Sequence, residues 1–123
     1  MLERATRLSD LQAWLSPEDL AQLQSFRWLA YKAPAFLSLF VGSQDFSSWE
    51  SHWWGTGSAR AALTACRESI KMFFKDTGRD EVFGLTPCKN KKGLKMARLL
   101  GYKPLRFQKN WKGEVCLLSV KEK

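Results

Sequence analysis

Two short groups of residues in this chain have types and spacing that suit chemistry, and they adjoin. The first is the run Trp53-Trp54-Gly55-Thr56-Gly57-Ser58-Ala59-Arg60-Ala61-Ala62-Leu63, in which strand-forming aromatics lead into two glycines and then a helix-forming segment. Strand, glycine turn and helix together make an anion site. Glycine lets the backbone approach a ligand, the first helical N–H groups lack helical acceptors, and the helix dipole favours negative charge. Phosphate or pyrophosphate is the natural guest, although a Gly-x-Gly turn before a helix is also a common plain connection. The second group is Glu50 and His52. Side chains alternate along a strand, so Ser48, Glu50, His52 and Trp54 share one face while Trp49, Ser51 and Trp53 share the other. Two ionisable groups therefore sit beside a tryptophan just upstream of the turn.

Those residues need a framework, and the bulk properties supply one. With 123 residues, 45% apolar and 13% aromatic, the chain reads as one globular domain with room for a core. No apolar run reaches the length needed to cross a bilayer, and Met1-Leu2-Glu3-Arg4 does not read as a signal peptide. Cys66, Cys88 and Cys116 are widely spaced without a Cys-x-x-Cys pair, and His52 is the single histidine, which argues against a metal site. A reducing, cytoplasmic setting is expected.

The net charge of +8 is unevenly placed. Residues 1–59 carry four basic and six acidic side chains, a net of −2; residues 60–123 carry sixteen and six, a net of +10. Such asymmetry suggests an anionic partner for the second half. Aromatic and basic residues together would also suit nucleic acid, but no RNA-binding signature or DNA-reading helix is evident.

Along the chain, residues 2–8 suit a strand and 10–15 a short helix. Ser16-Pro17-Glu18-Asp19 is a strong helix start, with serine as cap and proline in the first turn, for a helix running through Leu23. Strands follow at 26–32, 35–41 and 46–54. Apolar residues at 59, 62, 63, 66, 70 and 73 have helical spacing and end before Thr77-Gly78. A buried strand at 81–86 stops at Pro87, and residues 90–100 form a helix with Leu94, Ala97 and Leu100 inward, closed by Gly101. Strands at 105–111 and 114–120 make a hairpin. This order predicts an α/β chain, a mixed sheet with helices on its faces.

From Phe46 onward the chain resembles the GNAT N-acetyltransferases, and most of all their short phage-encoded members, some of which have head-assembly roles. Trp54-Gly55-Thr56-Gly57-Ser58-Ala59 is similar to the family turn Gln/Arg-x-x-Gly-x-Gly/Ala at Gly57 and Ala59, with Trp54 in the place of Gln or Arg. Val82-Phe83-Gly84-Leu85-Thr86-Pro87 resembles the family's fifth strand. Asn90-Lys91-Lys92-Gly93-Leu94-Lys95-Met96-Ala97-Arg98-Leu99-Leu100-Gly101-Tyr102 parallels Asn-x-x-Ala-x-x-Leu-Tyr-x-x-Leu-Gly-Phe, in register at Asn90, Leu100, Gly101 and Tyr102. Ala97 stands where many members have a tyrosine that protonates the leaving thiolate.

The resemblance implies a single compact GNAT-like acyl-CoA N-acyltransferase domain over residues 1–123, with 1–45 as a reduced N-terminal part and 46–123 as the CoA-binding core and hairpin. It implies acetyl-CoA as co-substrate, no metal, and transfer of acetyl to an amine of a protein or small molecule. The expected cofactor-binding residues are Trp53, Trp54, Gly55, Thr56, Gly57, Ser58, Ala59, Arg60, Asn90 and Lys92, with Lys89 and Lys91 near the 3′-phosphate. Glu50 is expected as general base, directly or through water, with His52 assisting or positioning the amine. A backbone N–H near Trp53 or Trp54 would polarise the thioester. Cys88 is expected as a small filler rather than a nucleophile. Ala97 and Trp54 support an alternative without catalysis, a GNAT-fold phage protein acting in head or virion assembly or binding a host protein. Expected partners are thus acetyl-CoA, an amine acceptor, a host or virion protein under the alternative, and a second copy in a homodimer; nucleic acid and membrane are not expected. Host cytoplasm follows for a phage-encoded enzyme, and the virion for the alternative.

Overall fold

A computed structural model describes residues 2–45 and 47–123. The chain runs β1 (Glu3–Ala5), a 3₁₀ turn (Leu8–Leu11), α1 (Pro17–Leu23), β2 (Arg27–Ala33), β3 (Phe36–Gly42), β4 (Trp49–Gly55), α2 (Ala59–Thr77), β5 (Glu81–Pro87), α3 (Lys91–Leu99), β6 (Lys103–Lys109) and β7 (Val115–Glu122). The strands form one sheet of seven in the order β1-β2-β3-β4-β5-β7-β6. Every neighbouring pair is antiparallel except β4 with β5.

Local chemistry accounts for the helix ends. Ser16 caps α1, its Oγ accepting from the Asp19 N–H at 3.1 Å, with Pro17 next. Ser58 caps α2 in the same way through the Ala61 N–H, also at 3.1 Å. Gly78 closes α2 at φ +68°, where a side chain would be strained. Asn90 Oδ1 accepts from the Gly93 N–H at 3.0 Å and caps α3. That cap explains Gly93: a Cβ there would lie 2.6 Å from Asn90 Nδ2.

At the chain start the expected elements shrink. The first strand is confined to Glu3–Ala5, and a 3₁₀ turn at Leu8–Leu11 replaces the helix expected over 10–15. The Asp10 carboxylate is the cause, since its Oδ2 accepts from the N–H groups of Thr6 and Arg7 and starts the turn early. The β4 strand begins at Trp49; its expected start, Phe46, lies outside the described residues. Just before the strand the Asp45 carboxylate accepts from Ser43 Oγ, Ser47 Oγ and the Ser47 N–H.

The sheet is packed on both faces. On one side α2 and α3 lie over Tyr31, Phe40, Trp49, Val82 and Tyr102, with Phe40 stacked on Phe73 at 4.4 Å. On the other, Leu11, Leu15 and Leu23 cover Ala30, Leu37 and Leu39, with Trp54 against them. The strand β4 thus separates two cores, as its alternation predicts: Trp49 and Ser51 are buried on the α2 side, and Trp54 turns to the α1 side.

Candidate active site

The site follows from the one parallel pair. Among the described residues, β4 and β5 pair only at Glu50–Phe83 and Ser51–Gly84. Past that point β4 stays bonded to β3 as far as Gly55–Phe36, and β5 stays bonded to β7 as far as Pro87–Cys116. The strands splay from one another. Beyond Ser51–Gly84 the two strands no longer pair with each other, and edge groups left in that way are available to a ligand. A cleft of about 210 Å³ fills the gap, lined by Ser51, His52, Trp53, Trp54, Gly84–Pro87 and Asn90. It opens at the carboxyl ends of two parallel strands, where α/β folds commonly hold ligands.

At the mouth of the cleft the chain turns into α2. Gly57 has φ +96° with open space around its missing Cβ, so glycine is there for its backbone angle rather than for room. The Thr56 N–H is already committed to Ala35 O at 2.9 Å, and that bond makes Gly55–Phe36 a pair without mutual hydrogen bonds, so the Gly55 N–H faces away from β3. Behind it, the N–H groups of Gly57, Ser58, Ala59 and Arg60 precede the first helical hydrogen bond, from the Ala62 N–H to Ser58 O. Trp53, Trp54 and Asn90 line the cleft itself. Lys92 is exposed on the first turn of α3 and lines none of the cavities described here. Lys89 is drawn to Glu114, with 3.0 Å between Nζ and Oε2, and the hydrogen bond from Asn110, then that from Lys89, holds the Glu114 carboxyl below its ordinary range.

Glu50 and His52 come together as their shared face requires. His52 Nε2 lies 3.2 Å from Glu50 Oε1, and both side chains are 39% exposed. The His52 ring lies over Trp54 at 6.2 Å and 24°. A neutral His52 that donates Nε2–H to the carboxylate has Nδ1 as its basic nitrogen. The two residues differ in reach. His52 lines the β4–β5 cleft and also a second groove of about 240 Å³ on the α1 side, whereas Glu50 lines neither. That groove is walled by Leu15, Leu23, Phe26, Leu39 and Val41, with Asp19 and Gln22 from α1 and with Trp54. His52 and Trp54 are thus common to both spaces.

On the opposite face of β4, Ser51 Oγ is 2.7 Å from Tyr102 Oη and 3.2 Å from Phe83 O. Burial holds the Tyr102 phenol well above its ordinary pKa, so it stays a neutral hydroxyl. Ala97 is buried, and a cavity of about 330 Å³ lies beside it, lined by Thr86, Leu94, Tyr102 and Leu117 among others. Cys88 sits half-buried in the turn after β5, its N–H donating to Val115 O at 3.0 Å. A larger cavity of about 590 Å³ lies between α2 and the end of β7 and shares no lining residue with these spaces. Sequence reasoning missed the Ser51–Tyr102 pair and the α1 wall, because both depend on packing across the sheet rather than on spacing.

No protein-family model matches the chain, and no curated protein sequence matches it. Solved structures do. A Bacillus subtilis acetyltransferase in complex with CoA superposes with a TM-score of 0.75 over 99% of this chain and 97% of its own, at 11% identity. The fold is that of the GNAT acyltransferases. The aminoglycoside acetyltransferase AAC(6')-Ib in complex with coenzyme A gives a TM-score of 0.71 at 8% identity, covering 100% of this chain and 95% of that one. Ribosomal-protein-S5-alanine acetyltransferase from Vibrio fischeri gives 0.65 at 12% identity, covering 85% of this chain and 66% of that one. The fold is thus shared at 8–12% sequence identity.

Proposed function

We propose that this protein is an acetyl-CoA-dependent N-acetyltransferase. The observation that carries the reading is the splay of β4 from β5, because it joins a phosphate cradle to a titratable groove. At one end stand the N–H groups of Gly57–Arg60 at the α2 terminus. At the other, His52 and Trp54 open onto the α1-side groove. Unpaired strand edges between them suit the amides of a pantetheine arm, and a side chain net charge of +10 over residues 60–123 suits its phosphates.

Acetyl-CoA supplies the activated acetyl group, and the protein positions and deprotonates the amine. An incoming ammonium must lose a proton before its nitrogen can attack a carbonyl carbon. His52 touches both spaces, so its Nδ1 receives that proton, and Glu50 orients the ring and stabilises the imidazolium that results. This sharpens the expectation that Glu50 acts as base, since Glu50 reaches the amine only through His52. A backbone N–H of β4 in the gap serves the carbonyl oxygen. With Ala97 in place of a tyrosine, the thiolate leaves unprotonated or takes its proton from water.

A second reading has specific support from Ala97 and Trp54: a non-catalytic GNAT-fold phage protein that acts in head or virion assembly or binds a host protein. Calorimetry with acetyl-CoA separates the two, followed by thiol release on adding amines. Micromolar binding (about −8 kcal/mol) and amine-dependent release support the enzyme; no binding at millimolar acetyl-CoA overturns it. Gly57→Val is the specific control. Valine at φ +96° strains the turn by about 1–3 kcal/mol, and binding should weaken about tenfold or more.

A further inference from the structure

We propose that the α1-side groove takes a primary monoamine carried on a compact apolar body; this rests on the acetyltransferase reading for the reaction but on the groove alone for the class. Six of the groove's nine lining side chains are apolar: Leu15, Leu23, Phe26, Leu39, Val41 and Trp54. Its volume of about 240 Å³ corresponds to roughly eight waters of liquid, enough for one ring or one branched side chain beside the amine. Of the groups that line it, Asp19 is the single carboxylate, with His52 and Gln22 as the other polar side chains. With the Glu50 carboxylate taken up by His52 at 3.2 Å, one negative charge is left to match one ammonium.

Polycations fit the same space poorly. A polyamine or an aminoglycoside brings several ammonium groups, each needing a carboxylate or water, into a groove that has one of the first and apolar walls against the second. The Trp54 indole and Phe26 ring instead offer flat apolar surface, and Trp54 also offers a π-face to an ammonium before it is deprotonated. Phe26 is 39% exposed at the rim, so the body enters from solvent past an aromatic edge. Two sources present this chemistry, a free aralkylamine and the N-terminus of a peptide that begins with an apolar residue.

The test is equilibrium binding to the full chain saturated with CoA, with turnover measured separately. The probes are 2-phenylethylamine, phenylalanyl-glycinamide, spermidine and kanamycin. The first two should bind at least about tenfold more tightly than the last two, and the stronger of the pair identifies the source. Asp19→Asn should weaken them about two- to fivefold, as for an exposed ion pair. Phe26→Glu adds a second carboxylate at the rim and should move preference toward spermidine. Tighter binding of spermidine or kanamycin to the wild type, or no change of preference in Phe26→Glu, overturns the class. Selective monoamine binding without any acetyl transfer would leave the class standing and remove the enzyme; transfer favouring polycations would do the reverse.

Discussion

The two faces of β4 lie a single strand apart and are built for opposite purposes. Toward α2 and α3, Trp49 and Ser51 are buried, and Ser51 Oγ is fixed between Tyr102 Oη at 2.7 Å and Phe83 O at 3.2 Å. Toward α1, Glu50 and His52 are 39% exposed and bonded to each other, with space on either side of the ring. On the packed face Ser51 and Tyr102 satisfy one another, so they stabilise, while Trp49 Nε1 is buried there without a hydrogen-bond partner among the described residues. Polar groups on the open face have capacity left, so they can react. The charge distribution follows the same division: the half of the chain that builds the open groove is net acidic, and the half beyond the glycine turn is strongly basic. An amine and a polyphosphate would each meet its complementary side.

The largest expected effect tests the open face. His52→Ala should lower the amine-dependent rate by about 10²–10⁴-fold while changing CoA affinity far less, read by thiol release and calorimetry together. Glu50→Gln keeps the ring in place but weakens its orientation, so the loss should be smaller, about tenfold. Equal losses would mean that Glu50 itself takes the proton. A rate unchanged in both variants would break the contrast between the faces.

A smaller effect tests the packed face. Tyr102→Phe removes the hydroxyl bonded to Ser51, leaving Ser51 its bond to Phe83 O. The expected cost is about 1–2 kcal/mol of stability, measured by denaturant unfolding, with turnover close to wild type. If turnover fell sharply while stability held, Tyr102 would belong to the chemistry and the two faces would not divide as described.

How much of this was readable beforehand depends on range. Features set by a few neighbouring residues were legible. Ser16-Pro17 started α1, Gly78 ended α2, and period-two alternation put Glu50 and His52 together and Trp49 opposite. Competition for local hydrogen bonds was not. Asp10 took the amides of Thr6 and Arg7 and turned an expected helix into a single 3₁₀ turn. Nor were contacts between distant segments. The Ser51–Tyr102 bond spans 51 positions, and Asp19 reaches the groove only because α1 folds over β3 and β4. The cleft was legible at its ends, through the glycine turn and Asn90. Its middle, the loss of pairing after Ser51–Gly84, was not, since no residue in either strand marks where a register stops.

The smallest expected effect concerns the turn that delivers β4 to both faces at once. Hydrogen bonds from Ser47 Oγ, then Ser43 Oγ and the Ser47 N–H, pull the Asp45 carboxyl down from 3.8 to about 2. A pKa lowered in the folded state means that the fold favours the charged form. The contribution is therefore fully present above the unfolded value near 4 and is lost as the pH falls through about 2. Asp45→Asn should lower the melting temperature at neutral pH, and the gap from wild type should close between about pH 4 and pH 2. Because Asp45 is fully exposed, the gap should be slight. It should also be independent of bound CoA, since the turn precedes β4 and touches neither cavity that His52 lines. A gap that widened with CoA would tie the start of β4 to the cleft at its far end, and the strand would then transmit between its two faces rather than divide them.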